Sequence, residues 1–212
     1  MGTVDNKLLS AIESLKQSKI KSLIDARMRE FKGIGEGSSG EIFEELCFCI
    51  LTANFSAERA IKIQKEMGEG FLTLPESELA ERLRELGHRF HEARAKYIVE
   101  ARRHGDSLKS ILTSFHSQVE ARRWLADNVK GFGFKEASHF LRNIGYDDLA
   151  ILDFHIIDLL ARCGLIEKPK TLTKKKYLEI EELLREIAKR SRLNLAELDL
   201  YLWYMETGKV LK

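Results

Sequence analysis

Residues 124–145, WLADNVKGFGFKEASHFLRNIG, read as a helix, a five-residue turn and a second helix. Gly131 and Gly133 bracket Phe132 in the turn, and Lys135 stands on the first helical turn that follows. Glycine permits positive φ and leaves backbone amides uncovered. The unpaired N–H groups and dipole of the second helix point into the same space, so such a turn suits a phosphate without any side-chain charge. A glycine-containing turn of an ordinary αα-hairpin gives the same pattern, and both readings stand on the turn alone.

Outward from this hairpin the pattern is helical nearly throughout. Two prolines in 212 residues, abundant Leu, Ala, Glu, Lys and Arg, and no strand-like alternation make the chain all-α. The periodicity predicts helices over 5–18, 19–32, 40–54, 56–67, 76–86, 91–104, 106–114, 116–127, 135–144, 154–163, 173–191 and 194–208. Ser56 and Ser77 read as N-caps, and Gly87, Gly105, Gly145 and Gly164 as helix stops. GIGEGSSGE (33–41) reads as a linker. EELCFCILTAN (44–54) is apolar almost all round, which predicts a buried central helix.

Composition limits the function classes. A net charge of +2 announces no bulk nucleic-acid binder, so such a footprint has to be local. Basic runs occur at 82–105 and 168–176, where a solvated face is the plain alternative. No stretch approaches the roughly 20 apolar residues of a membrane span. The polar N-terminus MGTVDN has neither a signal-peptide core nor a myristoylation pattern, which points to a cytoplasmic protein. Cys47, Cys49 and Cys163 lack metal-site spacing, and the first two read as buried thiols.

Asp153 opens the helix of AILDFHIIDLLARCG, 18 residues after Lys135. An Asp there is ordinarily an N-cap. Paired with a lysine at a helix N-terminus, where dipole and desolvation favour the free amine as nucleophile, it becomes a candidate proton acceptor.

Val129-Lys130-Gly131-Phe132-Gly133 matches the hydrophobic-x-Gly-hydrophobic-Gly turn of the helix-hairpin-helix motif, and Gly131 to Lys135 followed by Asp153-Phe154-His155 resembles the signature of helix-hairpin-helix DNA glycosylases. LCFCILTANFSAERA, LGHRFHEARAKYI and LDLYLWYMETGKVLK resemble, more narrowly, the archaeal-type 8-oxoguanine DNA glycosylase/lyases, over about residues 40–212. The resemblance implies two helical lobes with a DNA-binding cleft between them: a barrel of 42–148 carrying the hairpin, and a second lobe of 1–41 plus 149–212. It implies Lys135 and Asp153 as catalytic residues, with Gly131, Phe132, Gly133, Asn54, Arg89 and Phe90 on DNA. Asn54 would fill the gap left by a flipped base and Phe90 would act as a wedge, the alternatives being a helix C-cap and a core residue.

Trp203 would be a stacking platform, and Lys212 with its carboxylate would read the base; core packing and a frayed tail are the alternatives. His139, one turn past Lys135, stands where eukaryotic 8-oxoguanine enzymes carry cysteine and joins the base-recognition set. The four cysteines of the iron–sulfur glycosylases are absent. The implied partner is duplex DNA containing 8-oxoguanine or abasic sites, acted on by a nucleoid-associated monomer without metal or other cofactor. A non-catalytic helix-hairpin-helix module and a glycosylase for another lesion are the competing functions.

Overall fold

A computed structural model describes the backbone of residues 4–212 and the side chains from Lys7 onward; residues 1–3, assigned above to the second lobe and to the polar N-terminal pattern, lie outside the described residues. The chain is all-α, with no strand among the described residues. The helices are α1 (Val4–Lys16), α2 (Ile20–Glu36), α3 (Ser39–Thr52), α4 (Ala57–Met67), α5 (Gly70–Thr73), α6 (Glu76–Glu85) and α7 (His91–Ala101). After a 3₁₀ segment (Arg102–Ser107) come α8 (Leu108–Thr113), α9 (Gln118–Asn128), α10 (Phe134–Asn143), α11 (Phe154–Arg162), α12 (Lys174–Ser191) and α13 (Leu195–Thr207). None of the described helices is long and apolar enough to cross a membrane.

Two compact units share the chain. A central unit comprises residues 32–145, and an N–C unit joins the residues up to Phe31 to Tyr146–Lys212. In the central unit α3 is the axis, packed against α4, α5, α7, α8 and α10. Its residues from Ile42 to Thr52 are buried except Glu44, and Leu46, Cys47, Phe48 and Cys49 are fully inaccessible. Each large apolar side chain so buried contributes roughly 1.5–3 kcal/mol. Burial pushes the Cys47 thiol well above its ordinary pKa, in keeping with an inert core residue.

In the N–C unit α11, α12 and α13 pack together and α1 lies on α12 and α13. Ile20, Ile24 and Phe31 of α2 share a core with Leu200 and Tyr201 of α13. The Lys16 ammonium donates to the Ser191 carbonyl at 2.6 Å, satisfying a carbonyl in the last turn of α12.

Three local expectations are corrected. Residues 33–41 are not a linker: α2 runs on to Glu36, and α3 starts two residues after Gly37. Two interactions account for this. Gly35 lies against α10's end so closely that a Cβ there would sit 2.0 Å from the Ile144 carbonyl oxygen. Ser38 and Glu41 form a reciprocal capping box, the Ser38 N–H donating to Glu41 Oε2 at 2.8 Å and the Glu41 N–H to Ser38 Oγ at 3.3 Å. Ser77 does not cap α6, because Pro75 already launches that helix with an extended ψ of 156°. Gly105 does not stop a helix either, since α7 ends at Ala101 and Gly105 falls inside the 3₁₀ segment.

The two α2 glycines therefore respond oppositely to alanine. Gly35→Ala should lower stability by about 1–3 kcal/mol through overpacking. Gly33→Ala, with nothing within 4 Å of the added carbon, should raise it by about 0.4–1 kcal/mol. Thermal unfolding of both variants checks this, and a Gly35→Ala protein as stable as the parent refutes the close approach.

Candidate active site

The turn between α9 and α10 is held from three sides. The Val129 N–H donates to Leu125 O at 2.9 Å, closing α9, and the Phe132 N–H donates to Val129 O at 3.1 Å. The Phe132 ring is buried, 6.3 Å from that of Phe140, so at this position the turn presents backbone rather than a side chain. Gly131 has φ of 88°, and a Cβ there would meet the Tyr97 ring at 2.8 Å. Both the backbone region and the space exclude a side chain.

Gly133 corrects the expectation of two positive-φ glycines. Its φ is −105°, and its N–H donates to Glu136 Oε2 at 3.1 Å. The spacing of Glu136, three residues past the cap, is the capping-box signature, so this contact was readable from sequence.

Lys135 is the second residue of α10, with its side chain 24% exposed and Nζ 3.8 Å from Glu136 Oε1. The helix behind it is fixed along its length. Arg122, a fully buried arginine of α9, sets its guanidinium 4.7 Å from the Phe134 ring centroid and its Nη1 3.4 Å from Ser138 Oγ. His139 is buried edge-on to Phe48 with ring centroids 5.8 Å apart. At the far end the Asn143 amide donates to Glu45 Oε1 at 2.6 Å, Gln64 donates to Glu45 Oε2 at 3.2 Å, and Arg142 Nε donates to Asn143 Oδ1 at 3.0 Å. A buried polar network of this kind is costly unless its members are paired, and paired it specifies one arrangement.

Asn54, Arg89 and Phe90 come together from two loops of the same unit. Asn54 is exposed, with φ of 58°, directly after the α3 C-cap Ala53; a left-handed residue at that place commonly terminates a helix, so the helix-end reading stands beside the gap-filling one. Arg89 donates to the Asn54 carbonyl and lies 4.5 Å from the Phe90 ring centroid. Phe90 is 40% exposed, which removes the core alternative. Arg94, nearly buried, donates to Ala53 O at 2.6 Å and lies 5.6 Å from the Phe90 ring. Arg59 donates to Gly87 O at 2.7 Å.

Sequence reasoning missed the buried Arg122 and Arg94 and the half-buried Tyr97 against Gly131, because an arginine or tyrosine on an amphipathic helix gives no sign of what it packs on.

The remaining candidates belong to the N–C unit. Asp153 is the N-cap of α11, its Oδ1 accepting from the Ile156 N–H at 3.0 Å. The approach to it is pinned by the Tyr177 hydroxyl, which donates to Ala150 O at 2.6 Å, and by the Ala150 N–H donating to Glu181 Oε2 at 2.9 Å. The His155 ring stacks 3.9 Å from the 68%-exposed Phe154 and meets Trp203 edge-on at 4.8 Å. Arg162 and Glu206 form an ion pair that ties α11 to α13. Trp203 is partly exposed, and Lys212 lies beyond Gly208, the C-cap of α13.

In the basic run 168–176, Lys168 pairs with Asp158 and Lys176 with Glu179 at 3.1 Å, so part of that charge is internally compensated. Among the described residues no group of three or more His, Cys, Asp or Glu is arranged to hold a metal ion.

Comparison with known proteins agrees with this architecture. Residues 24–193 match the family model described as 8-oxoguanine DNA glycosylase. A relative named 8-oxoguanine DNA glycosylase/AP lyase from Korarchaeum cryptofilum is 53% identical, with all of both chains covered. The crystal structure of the Methanocaldococcus jannaschii 8-oxoguanine glycosylase/lyase, in complex with a 15mer DNA containing 8-oxoguanine, superposes with a TM-score of 0.95 at 57% identity, covering 97% of this chain and 100% of that one. The Thermotoga maritima 8-oxoguanine DNA glycosylase gives a TM-score of 0.92 at 48% identity, covering 98% and 100%. An all-helical chain with a glycine hairpin heading its lysine-bearing helix, matched over nearly its whole length by these proteins, belongs to the helix-hairpin-helix 8-oxoguanine DNA glycosylase family.

Proposed function

We propose that this protein is a bifunctional base-excision enzyme that removes 8-oxoguanine from duplex DNA and then cleaves the strand at the abasic site. The observation that carries the reading is Lys135 at the head of α10, directly after the Gly131–Gly133 turn, in a chain whose relatives are named glycosylase/AP lyase. A lysine amine is the nucleophile that couples the two activities.

The target base leaves the stack, since its glycosidic bond is inaccessible inside a duplex. The Lys135 amine attacks the anomeric carbon, and the base departs with the bonding electron pair. The resulting aminal opens to a Schiff base, and loss of a proton from the adjacent sugar carbon expels the 3′ phosphate by β-elimination. Asp153, fixed through one oxygen by its cap bond, serves as proton acceptor and as electrostatic partner of the sugar cation.

The turn's backbone at Gly131, Phe132 and Gly133 takes a phosphate. Asn54 fills the vacated space, Phe90 wedges at the unpaired partner and Arg89 contacts that base or a phosphate. Trp203 stacks on the flipped base, Lys212 reads its edge, and His139 shapes the ground behind Lys135. The scheme draws on no metal or redox cofactor and suits a cytoplasmic, nucleoid-associated monomer.

Borohydride should trap the protein covalently on 8-oxoguanine duplex, and Lys135→Ala should abolish trapping while leaving DNA binding; trapping at the parent level would remove Lys135 from this role. Asp153→Asn should cost about 10²–10⁴-fold in rate, the usual worth of a positioned proton acceptor. Near-parent turnover of that variant would leave Asp153 as a cap alone. Release of an oxidised pyrimidine in preference to 8-oxoguanine would transfer the enzyme to another lesion.

Gly131→Ala should weaken binding to damaged and undamaged duplex alike, roughly tenfold or more, because hydrogen bonds to a charged phosphate are worth about 1.5–3 kcal/mol each and carry no sequence information. Fluorescence anisotropy on both duplexes checks this. A loss confined to the lesion duplex would mean the turn reads the base instead.

A further inference from the structure

His88 is one of the most thoroughly buried polar side chains of the central unit, 1% exposed, yet it stands two residues from the exposed ring of Phe90. Its two ring nitrogens have different duties. The Phe90 backbone N–H donates to Nδ1 at 3.2 Å, and Nε2 lies 3.1 Å from the Leu51 carbonyl oxygen. An N–H donor at Nδ1 requires a lone pair there, so the proton sits on Nε2 and donates to Leu51 O. Both bonds are satisfied by one species only, the neutral Nε2–H tautomer. The Phe55 ring covers the imidazole face at 4.1 Å between centroids.

Phe90 needs such support. It is the N-cap residue of α7, has no side-chain cap of its own, and exposes 40% of its surface. Its backbone N–H lies outside the helix ladder and requires an acceptor. The Arg89 and Arg94 guanidiniums flank its ring at 4.5 and 5.6 Å, but they position the ring and not the backbone that carries it. Leu51 belongs to the last turn of α3, three residues before Asn54. One imidazole thus ties together the loop of the gap-filling residue and the loop of the wedge.

We infer that His88 is a positioning residue for strand opening, a neutral strut that fixes the Phe90 backbone against the end of α3 so that the ring enters the base stack already oriented. Burial, together with the Arg94 and Arg59 charges, lowers its pKa and keeps the ring in the neutral form that the two bonds demand. Pre-orientation speeds insertion by removing ordering cost at the moment of binding. The inference rests on the wedge reading of Phe90 proposed above.

The test uses the full chain and an 8-oxoguanine duplex with 2-aminopurine beside the lesion, read by stopped-flow fluorescence of unstacking and by base release. His88→Gln retains a donor that reaches Leu51 O but has no acceptor at Nδ1. His88→Asn places an amide oxygen at the Nδ1 position and keeps the Phe90 bond but falls short of Leu51 O. Either variant breaks the strut at one end, so each should open the stack roughly three- to tenfold more slowly, the effect of losing one buried hydrogen bond. In a Phe90→Ala background His88→Gln should add nothing, since strut and wedge act as a unit.

In the parent protein, ¹⁵N shifts of the His88 ring should report the neutral Nε2–H tautomer. A protonated ring or the Nδ1–H tautomer overturns the inference even if both variants fail to fold. Parent-rate opening by either variant, or a further loss from His88→Gln in the Phe90→Ala background, overturns it while leaving the wedge intact. Unimpaired opening by Phe90→Ala alone identifies the wedge reading as the error, and the strut falls with it.

Discussion

Helix α10 must be buried along almost all its length while its first turn stays open, and the central unit is organised around that constraint. Ala137 to Asn143 are all buried, and Lys135 two residues earlier is not. A helix held only at its open end would fray there. This one is held from beneath and behind, by Arg122 against Phe134 and Ser138 and by Glu45 against Asn143. Its open end is then defined by the turn, where Gly131 rests on Tyr97 and Gly133 is capped by Glu136.

The same economy governs the loops that carry Asn54 and Phe90. Exposed residues gain little from burial, so their placement has to come from the backbone beneath them. Side chains from elsewhere in the unit supply it by donating to loop carbonyls: Arg94 to Ala53, Arg89 to Asn54 and Arg59 to Gly87. Of these, the Arg94 bond satisfies a buried carbonyl that would otherwise face the core unpaired, while the other two lie at exposed positions. In the N–C unit the approach to Asp153 is held at Ala150, whose carbonyl accepts from the Tyr177 hydroxyl and whose N–H donates to Glu181, and the Arg162–Glu206 pair ties the helices bearing His155 and Trp203.

Much was legible in the sequence because it is locally encoded. Helical periodicity, the apolar run that became α3, the hairpin turn with Lys135 after it and the capping position of Asp153 all follow from residues within a few places of one another. Their energies are set by propensity, caps and the dipole, which act over one or two helical turns. The family resemblance, read from those same short motifs, agrees with the family model and the relatives.

Tertiary structure alone decided the rest, for a consistent reason. GIGEGSSGE has the composition of a linker, yet Gly33 to Glu36 are helical because Gly35 fits against a carbonyl more than 100 residues away. Gly131 has positive φ and lies against Tyr97 of another helix, whereas Gly133 has negative φ and is capped by Glu136, a difference the Gly-Phe-Gly triplet alone does not show. Arg122 and Arg94 are buried and Phe90 is exposed, each against its residue type. Burying a charge is tolerable only where other groups receive its hydrogen bonds. Those partners lie far along the chain, and only the folded structure brings them within reach.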